Sequence, residues 1–441
     1  MASRDDGISL LSTLVNFGAM TAFLALHVAV VVHYVVRQGS RDWLRHLIGP
    51  AIGFLILLYV VINADIAAQM LGFLWLGIGV IVLIVFYLTG RRPELARPRR
   101  RDQAVTEVIG YRPTADELSY TFGGREPVRR VKPGTILELY TEDCFGGRVR
   151  TVDDLPSQVC EFPYLNPVTG PFHIEGAEPG DTLAVHFAEI VPARDWAVSS
   201  TFPHFGALTT THTTAMLHPP LDEVVWRYDV DVPAGLVRYH ARRGDFSMEL
   251  PLDPMHGTAG VAPAAFESRM TIVPDAHGGN MDTPELRAGV TAYFGVNVPG
   301  ALFALGDGHC RQGEGEVCGT AVESAMNTVL IVDVIKGAAT PTPRFETDEA
   351  LMSAGSARPL EDAYRMSQHD LVTWAADLTG LDVLDAYQLI SQAGEAPVGN
   401  VCDPNYTMLA KVPKRYLGVA PAYEGVHSRL RTVAQNHLSS R

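Results

Sequence analysis

Gly176-Ala-Glu-Pro-Gly-Asp181, followed directly by Thr182-Leu-Ala-Val-His-Phe187, is the stretch that decides the fold class. Proline presets φ and glycine supplies a positive φ, so the first six residues predict a tight turn. The next six alternate apolar and other side chains and predict a strand. From Val131 to about Val334, similar short apolar runs are broken by Gly and Pro about every 8–12 residues, a spacing typical of many strands packed as a β-sandwich.

The C-terminal third changes period. Apolar residues recur at helical spacing from Pro359 until Gly380, and a second helical run follows from Asp382 to about Ala393, closed by Gly394. Proline at a helix start and glycine just past its end are the usual boundary signals. Helices appended to a strand-rich body predict the α+β class for residues 105–441.

Three apolar blocks precede this body, over residues 14–36, 47–62 and 66–88. About 20 apolar residues in a helix span a hydrocarbon core of about 30 Å. A cleaved signal peptide has one apolar region of about 7–15 residues, which three long blocks do not fit. We therefore expect three transmembrane helices within residues 1–92 and a basic linker at residues 93–104.

Arginines indicate the orientation of these helices. Arg37, Arg41 and Arg45 lie between the first and second blocks, and a further group from Arg91 to Arg101 follows the third. Loops rich in arginine stay on the cytoplasmic side. The expectation is a multi-pass protein of the cell membrane with its C-terminal body in the cytoplasm, and the odd number of cysteines, 5, agrees with reduced thiols there.

The net charge is −14, and the first 95 residues contribute 6 basic and 5 acidic residues to it, so the body carries the excess of acid. Nucleic-acid binding depends on Lys and Arg that contact phosphates, which excludes nucleic acid as a partner. The chain also has no Gly-x-Ser-x-Gly elbow, phosphate loop or dinucleotide fingerprint.

The residues that can perform chemistry gather in three glycine-rich stretches. The densest, from Leu305 to Gly319, offers Asp307, His309, Glu314 and Glu316; the others run from Asp275 to Asp282, with His277, and from Thr141 to Gly147, with Asp143. Carboxylates with histidine suit Zn²⁺ or another divalent ion, and such an ion activates water. Two plainer interpretations stay open: the loops are ordinary turns, and Cys144, Cys310 and Cys318 are packing residues.

Eight segments, in this order, resemble the acetamidase/formamidase family of amide hydrolases over residues 105–420. They are Thr141-Glu-Asp-Cys-Phe-Gly-Gly147, Asn166-Pro-Val-Thr-Gly-Pro171, Gly176-Ala-Glu-Pro-Gly-Asp181, His277-Gly-Gly-Asn-Met-Asp282, Val298-Pro-Gly-Ala-Leu-Phe303, Leu305-Gly-Asp-Gly-His309, Gly313-Glu-Gly-Glu-Val-Cys-Gly319 and Asp403-Pro-Asn-Tyr-Thr407.

The resemblance implies a homo-oligomeric hydrolase that converts formamide, acetamide or a similar short carboxamide to carboxylate and ammonia, with water assisted by a divalent metal, zinc or calcium. The family's acidic and imidazole positions fall on Asp143, His277, Asp307, His309 and Glu316. The first four become metal or water-positioning residues and Glu316 the general base. By the same resemblance, Asn166 and Asn280 donate to the developing oxyanion.

Two further features bear on function. Where the family usually reads His-Pro-Met-Ile-Gly, this chain has Asp253-Pro-Met-His256-Gly257, which puts substrate choice or activity in question. Residues 10–90 resemble the last three helices of an amino-acid/polyamine/organocation permease, too few to enclose a transport site. Besides the tethered hydrolase, two alternatives stay open: a catalytically degenerate amidase-like partner or sensor of a transporter, and a transport subunit.

Overall fold

The computed structural model describes residues 20–21, 23–24, 26–32, 35, 43–63, 70, 107–209, 217, 219–418 and 421–441. The chain divides into two compact units, Met1–Asp102 and Gln103–Arg441. In the first unit, Leu44–Ile48 form a π-helical turn that continues into helix α1, Gly49–Ile62.

One helix among the described residues, Leu44–Ile62, is long and apolar enough to cross a membrane by length and composition, with 19 residues and a mean hydropathy of 1.9. It covers the predicted segment 47–62. Of segment 14–36, residues 14–19, 22, 25, 33–34 and 36 lie outside the described residues, as do all of 66–88 apart from Met70 and the linker 93–104. Most of the permease-like segment lies outside them too.

The second unit is strand-rich, as predicted. Its strands, within the described residues, are β1 Val108–Tyr111, β2 Thr121–Phe122, β3 Arg129–Val131, β4 Ile136–Thr141, β5 Val168–Ile174, β6 Thr182–Pro192, β7 Trp196–Thr201, β8 Val224–Asp231, β9 Leu236–His240, β10 Ser247–Pro251, β11 Met255–Gly260, β12 Arg269–Met270, β13 Gly278–Asn280, β14 Thr291–Gly295, β15 Phe303–His309, β16 Met326–Ile335, β17 Arg344–Glu346, β18 Ala350–Ala357, β19 Val398–Asn400 and β20 Tyr406–Pro413. Its helices are α2 Pro156–Val159, α3 Leu360–Thr379, α4 Val383–Ala393 and α5 Val426–Ser439.

Two sheets enclose the main core. The larger has nine strands in the order β1-β4-β16-β6-β14-β17-β18-β20-β19, and the second has five in the order β13-β11-β15-β5-β3. Buried side chains of both, such as Phe187 and Leu330 from the first and Phe172 and Phe303 from the second, belong to one apolar cluster. Smaller sheets, β10-β9-β8-β7 and β12-β2, complete the body.

The C-terminal helices are confirmed at the predicted boundaries. Pro359 precedes α3, and Gly380 ends it in the left-handed conformation at φ 71°. The side chain of Asp382 caps α4 by accepting a hydrogen bond from the Leu384 amide at 2.9 Å. Helix α5 packs on the nine-stranded sheet, because Leu430 and Ala434 share a buried cluster with residues of β4, β6 and β16.

The five-stranded sheet brings distant polar residues together. Strand β11 runs antiparallel to both β13 and β15, with Thr258 opposite Asn280 and Met255 opposite His309. All seven residues of β15 are buried, including the polar pair Asp307 and His309. The register therefore places the histidine, carboxylate and amide groups of three strands beside one another.

Candidate active site

Five buried carboxylic residues and one histidine converge at this end of the sheet. The carboxylic residues, termed the acidic cluster, are Asp282, Asp307, Glu316, Glu323 and Asp403, each at most 6% exposed. Among the described residues, no lysine or arginine forms an ion pair with them; only His309 does. Ionising so many buried carboxylic groups without a cation beside them is costly, which is typical of a site built for a cation or for proton transfer.

His309 is the centre of the group. Its Nε2 atom lies 3.2 Å from Glu323 Oε2, 3.4 Å from Asp307 Oδ1 and 3.9 Å from Asp282 Oδ1. Its Nδ1 atom lies 2.9 Å from Gln312 Oε1, which orients the ring. Nε2, Asp282 Oδ1, Asp307 Oδ1 and Glu323 Oε2 are all buried without a hydrogen-bond partner of good geometry. Four unsatisfied polar atoms facing one another indicate a ligand position.

Gly257 packs tightly against this group. A Cβ atom built there would stand 2.2 Å from Asp282 Oδ1, 2.6 Å from Asp307 Oδ2 and 2.9 Å from His309 Cε1. Two carboxylates and an imidazole thus pack against one point on β11, and only a residue without a side chain leaves them undisturbed.

Asn166 and Asn280 hold the carboxylates in place. Asn166 Nδ2 donates to Asn280 Oδ1 and to Asp307 Oδ2, both at 2.9 Å. Asn280 Nδ2 donates to Asp282 Oδ2 at 2.6 Å and to Asp403 Oδ2 at 2.8 Å. Both amide donors of each asparagine are therefore engaged within the site.

The backbone is strained at these residues. Asn166, Asp282, Asp307 and Glu316 adopt positive φ values of 52°, 44°, 54° and 44°. Each such non-glycine residue costs of order 1–3 kcal/mol, and such strain concentrates at functional sites. The conformation turns these side chains toward one space.

Burial and mutual repulsion favour the protonated form of three of the acids. Burial and neighbouring carboxylates raise the pKa values of Asp282, Glu316 and Asp403 well above their ordinary range. Burial raises the pKa of Glu323 to about 7, with His309 opposing it. Burial disfavours the charged ring of His309, but the nearby carboxylates outweigh it and raise its pKa well above the usual value.

A cavity of about 130 Å³ opens onto this group. Its polar end is lined by Asn166, Asn280 and, of the acidic cluster, Asp307, Glu316, Glu323 and Asp403. The remaining wall is mainly apolar, with four phenylalanines, Phe145, Phe162, Phe202 and Phe205. The arrangement suits a small molecule with a polar head and an apolar tail.

Asp143, predicted to bind metal, has other partners. Its Oδ2 accepts from Arg194 Nη1 at 2.6 Å, and its Oδ1 accepts from the amides of Phe145 and Gly147 at 3.0 and 2.9 Å. Burial and Glu142 raise its pKa to about 6, while Arg194 opposes the shift. The structure gives Asp143 the role of fixing the turn after β4.

Replacing Arg194 with methionine should therefore destabilise the fold. It leaves Asp143 buried without its ion-pair partner, which costs about 3–5 kcal/mol of the free energy of unfolding. Urea unfolding measures this, with Arg365→Met as the matched control, because Arg365 pairs with Asp362 on an exposed helix face and should cost under about 1 kcal/mol. Equal costs for the two variants would contradict the structural role of Asp143.

His277 also lies apart from His309 and its carboxylates. Its ring packs edge-on against Phe122 with centroids 5.2 Å apart, and both ring nitrogens are buried without a partner. Burial lowers its pKa to about 4, so the ring is neutral. It does not line the cavity. Of the predicted site residues, the structure joins Asn166, Asn280, Asp307, His309 and Glu316, and leaves Asp143 and His277 outside.

Cys144 lines the cavity but is not an activated nucleophile. Burial, Glu323 and Asp307 raise the pKa of its thiol well above the ordinary value. The thiolate is the reactive form of cysteine, so this environment disfavours it.

Asp253 and His256, the two residues that differ from the usual family sequence, make their contacts outside the acidic cluster. Asp253 pairs with Arg287 at 2.9 Å near the surface. His256 is buried, with Nδ1 2.9 Å from the Gly306 carbonyl and Nε2 2.7 Å from Thr328 Oγ1. Burial lowers its pKa to about 4. Both ring nitrogens of His256 are engaged in these contacts, so the ring does not bind the residues around His309.

Sequence reasoning gave no role to three members of the acidic cluster. Asp282 and Asp403 lie in segments that carried the family resemblance, His277-Gly-Gly-Asn-Met-Asp282 and Asp403-Pro-Asn-Tyr-Thr407, and this was the available signal for them. Glu323 belongs to no motif. It joins the site through an isolated bridge between its backbone and that of His309, a long-range contact without a local signature.

Comparison with known proteins identifies the family. The pattern described as the Acetamidase/Formamidase family matches residues 125–231 and 246–413. The chain is similar to the solved acetamidase of Yersinia enterocolitica, with 40% identity and a TM-score of 0.67 over 72% of this chain and 94% of that one.

Two curated proteins are also similar. A formamidase of Methylophilus methylotrophus is 26% identical over 271 residues, or 50% of this chain and 65% of that protein. An acetamidase of Mycolicibacterium smegmatis is 26% identical over 266 residues, or 47% of this chain and 63% of that protein. The match therefore spans just under two thirds of these curated relatives. On the extent of the family match and the likeness to the Yersinia structure, the chain belongs to the Acetamidase/Formamidase family.

Proposed function

We propose that this protein hydrolyses a small carboxamide to the carboxylate and ammonia. The observation that carries the proposal is the buried meeting of His309 with Asp282, Asp307 and Glu323, because Asp307 and Glu323 also line a ligand-sized cavity. The names of the similar proteins, formamidase and acetamidase, support the same reaction class.

A divalent cation fits between His309 and the carboxylates that face it. Asp282, Asp307 and His309 would hold it, because each has a buried ligand atom without a hydrogen-bond partner and these atoms face one another. Two carboxylates and one imidazole suit zinc, whose catalytic sites use about three protein ligands, whereas calcium takes about 6–8 oxygens. When bound, the ion supplies Lewis-acid polarisation of a carbonyl and activation of water.

Two glutamates are proposed to carry out the two proton transfers of the reaction. Glu323 lines the cavity and its unpartnered Oε2 atom lies 3.2 Å from His309 Nε2, so it is suited to accept a proton from the attacking water. Glu316 also lines the cavity, and its burial raises its pKa and favours the protonated carboxyl, which is suited to give its proton to the leaving nitrogen. This reverses the general-base role that the resemblance implies for Glu316. The water oxygen adds to the carbonyl carbon and the C=O electron pair moves onto the oxygen; the C–N bond then breaks as this pair returns, and the nitrogen leaves as ammonia with the proton from Glu316.

Asn166 and Asn280 orient the carboxylates in this proposal. Their amide donors are engaged with Asp307, Asp282 and Asp403 rather than free for an oxyanion. The apolar cavity wall excludes bulk water from the reacting amide, which strengthens the electrostatic contacts inside.

Ammonia release from the purified full-length chain tests the proposal. A series of primary amides, with and without added Zn²⁺, should yield ammonia and the matching carboxylate in equal amounts. Absence of ammonia from every amide would support the alternative, a degenerate module that partners or senses a transporter.

The N-terminal helices are proposed to anchor the hydrolase to the cell membrane, with the body in the cytoplasm. The apolar helix Leu44–Ile62 and the arginine-rich loops support this. Cys318 is exposed whereas Cys310 is buried, so Cys318 is the appropriate probe. A membrane-impermeant maleimide should label Cys318 only after lysis, with Cys318→Ser as control; labelling in intact cells would contradict this placement.

The proposal includes the three-helix anchor and a homo-oligomeric state. Light scattering of the detergent-solubilised protein measures the number of chains in each particle, and a monomeric mass would contradict the oligomer.

A further inference from the structure

Gln312 makes three polar contacts on the Nδ1 side of the His309 ring. It follows the end of strand β15 by three residues, and its Oε1 atom lies 2.9 Å from His309 Nδ1. Its amide nitrogen donates to two backbone carbonyl oxygens, those of Asp282 at 2.5 Å and Gly399 at 3.0 Å. One half-buried side chain therefore contacts two proposed metal ligands, His309 and Asp282, and strand β19.

The two carbonyl groups determine the orientation of the Gln312 amide. A carbonyl oxygen only accepts hydrogen bonds, so the amide atom that faces Asp282 and Gly399 must be the nitrogen. The amide oxygen is then the atom that faces His309 Nδ1. The reversed amide would set its oxygen against two carbonyl oxygens, and no donor would lie among them.

This orientation determines which nitrogen of His309 carries the proton. Gln312 Oε1 only accepts, so Nδ1 must donate to it. In the neutral ring the other nitrogen, Nε2, then keeps a free lone pair. That lone pair faces the unpartnered oxygens of Asp282, Asp307 and Glu323. Ionised carboxylates are acceptors as well, so a cation between them and Nε2 is what satisfies all of these atoms.

On these grounds, and resting on the metal site of the proposed function, we propose that Gln312 is a positioning residue of the active site. It holds the proton of His309 on Nδ1 and thereby keeps Nε2 available as a ligand atom for the divalent cation. Outer hydrogen bonds of this kind fix the tautomer and orientation of metal-binding histidines. The same amide group also holds the backbone carbonyl of Asp282, a residue in the left-handed conformation at φ 44°.

The zinc affinity of full-length variants, measured by competition with a chromophoric chelator, tests this inference. Gln312→Leu removes the acceptor for Nδ1 and should weaken zinc binding by about 10–100-fold. Gln312→Glu keeps an oxygen for Nδ1 but loses the donations to both carbonyls, and should bind zinc within about 3-fold of the unchanged protein, because carboxylates are common partners of metal-binding histidines. Gln392→Leu, at an exposed glutamine of α4, is the matched control and should leave the affinity unchanged. A merely structural role predicts equal losses in Gln312→Leu and Gln312→Glu. That result, or full affinity in Gln312→Leu, would overturn the inference.

A measurement on the unchanged full-length chain decides the inference whether or not the Gln312 variants fold. Long-range ¹H–¹⁵N correlation NMR of ¹⁵N-histidine-labelled protein shows which ring nitrogen carries the proton, and the His309 signal is the one absent from His309→Ala. With zinc bound, the proton should lie on Nδ1. Bound zinc with the proton on Nε2 would overturn the inference and leave the proposed amide hydrolysis intact. Failure of the unchanged protein to bind zinc would overturn the proposed metal site, and the inference with it.

Discussion

Replacing His309 with alanine is expected to reduce ammonia release by more than about 100-fold and to remove bound metal in the same step. The ring contacts Glu323, Asp307 and Asp282 through one buried nitrogen. Loss of a residue that merely orients a metal ligand costs about 10–100-fold in metal affinity or activity, and loss of a ligand should cost more. Ammonia release and metal content of the purified variant measure both effects.

His240→Ala is the matched control for that experiment. His240 ends β9 with an exposed side chain, remote in the fold from the β11-β13-β15 strands, and should change neither readout. A His309→Ala protein that keeps both its turnover and its metal would contradict the placement of the site while leaving family membership untouched.

Replacing Gly257 with alanine should abolish activity without removing any polar group. The added methyl would stand 2.2 Å from Asp282 Oδ1 and 2.6 Å from Asp307 Oδ2, the two carboxylates proposed to hold the cation. These contacts force the carboxylates apart, and an overpacked core site costs about 1–3 kcal/mol. We expect ammonia release to fall by at least about 100-fold, because catalytic geometry tolerates misplacements of well under about 1 Å.

Gly110→Ala is the matched control for Gly257→Ala. Gly110 lies on exposed strand β1, and a Cβ there meets nothing within 4 Å. It should leave both activity and urea unfolding unchanged. If Gly257→Ala folds and hydrolyses amides at the wild-type rate, the group of carboxylates beside β11 is not the catalytic centre.

Helix boundaries and turns of this chain were predictable because interactions between residues close in sequence determine them. Pro359, Gly380 and the Asp382 cap bound α3 and α4 through contacts within one turn of the chain. The turn before β6 follows from Gly180, whose φ is 93°. The sheet order was not predictable, because the neighbours of β6, which are β14 and β16, lie more than a hundred residues away along the chain.

The same difference between short-range and long-range contacts explains which site residues could be predicted. Asp307, His309 and Glu316 share one glycine-rich stretch, and a single sequence shows that they are close. Asp143 has the same residue type in a similar glycine-rich setting, but the nearby Arg194 and two backbone amides satisfy its carboxylate. Local spacing does not reveal which carboxylates are satisfied and which are left facing one another.

Metal content and ammonia release, measured on the same purified full-length protein before and after chelation, test the central claim most directly. The account predicts a divalent ion in each chain, with zinc preferred, lost together with amide hydrolysis on chelation and regained together with it when zinc is returned. Full hydrolysis by protein that contains no metal would contradict it.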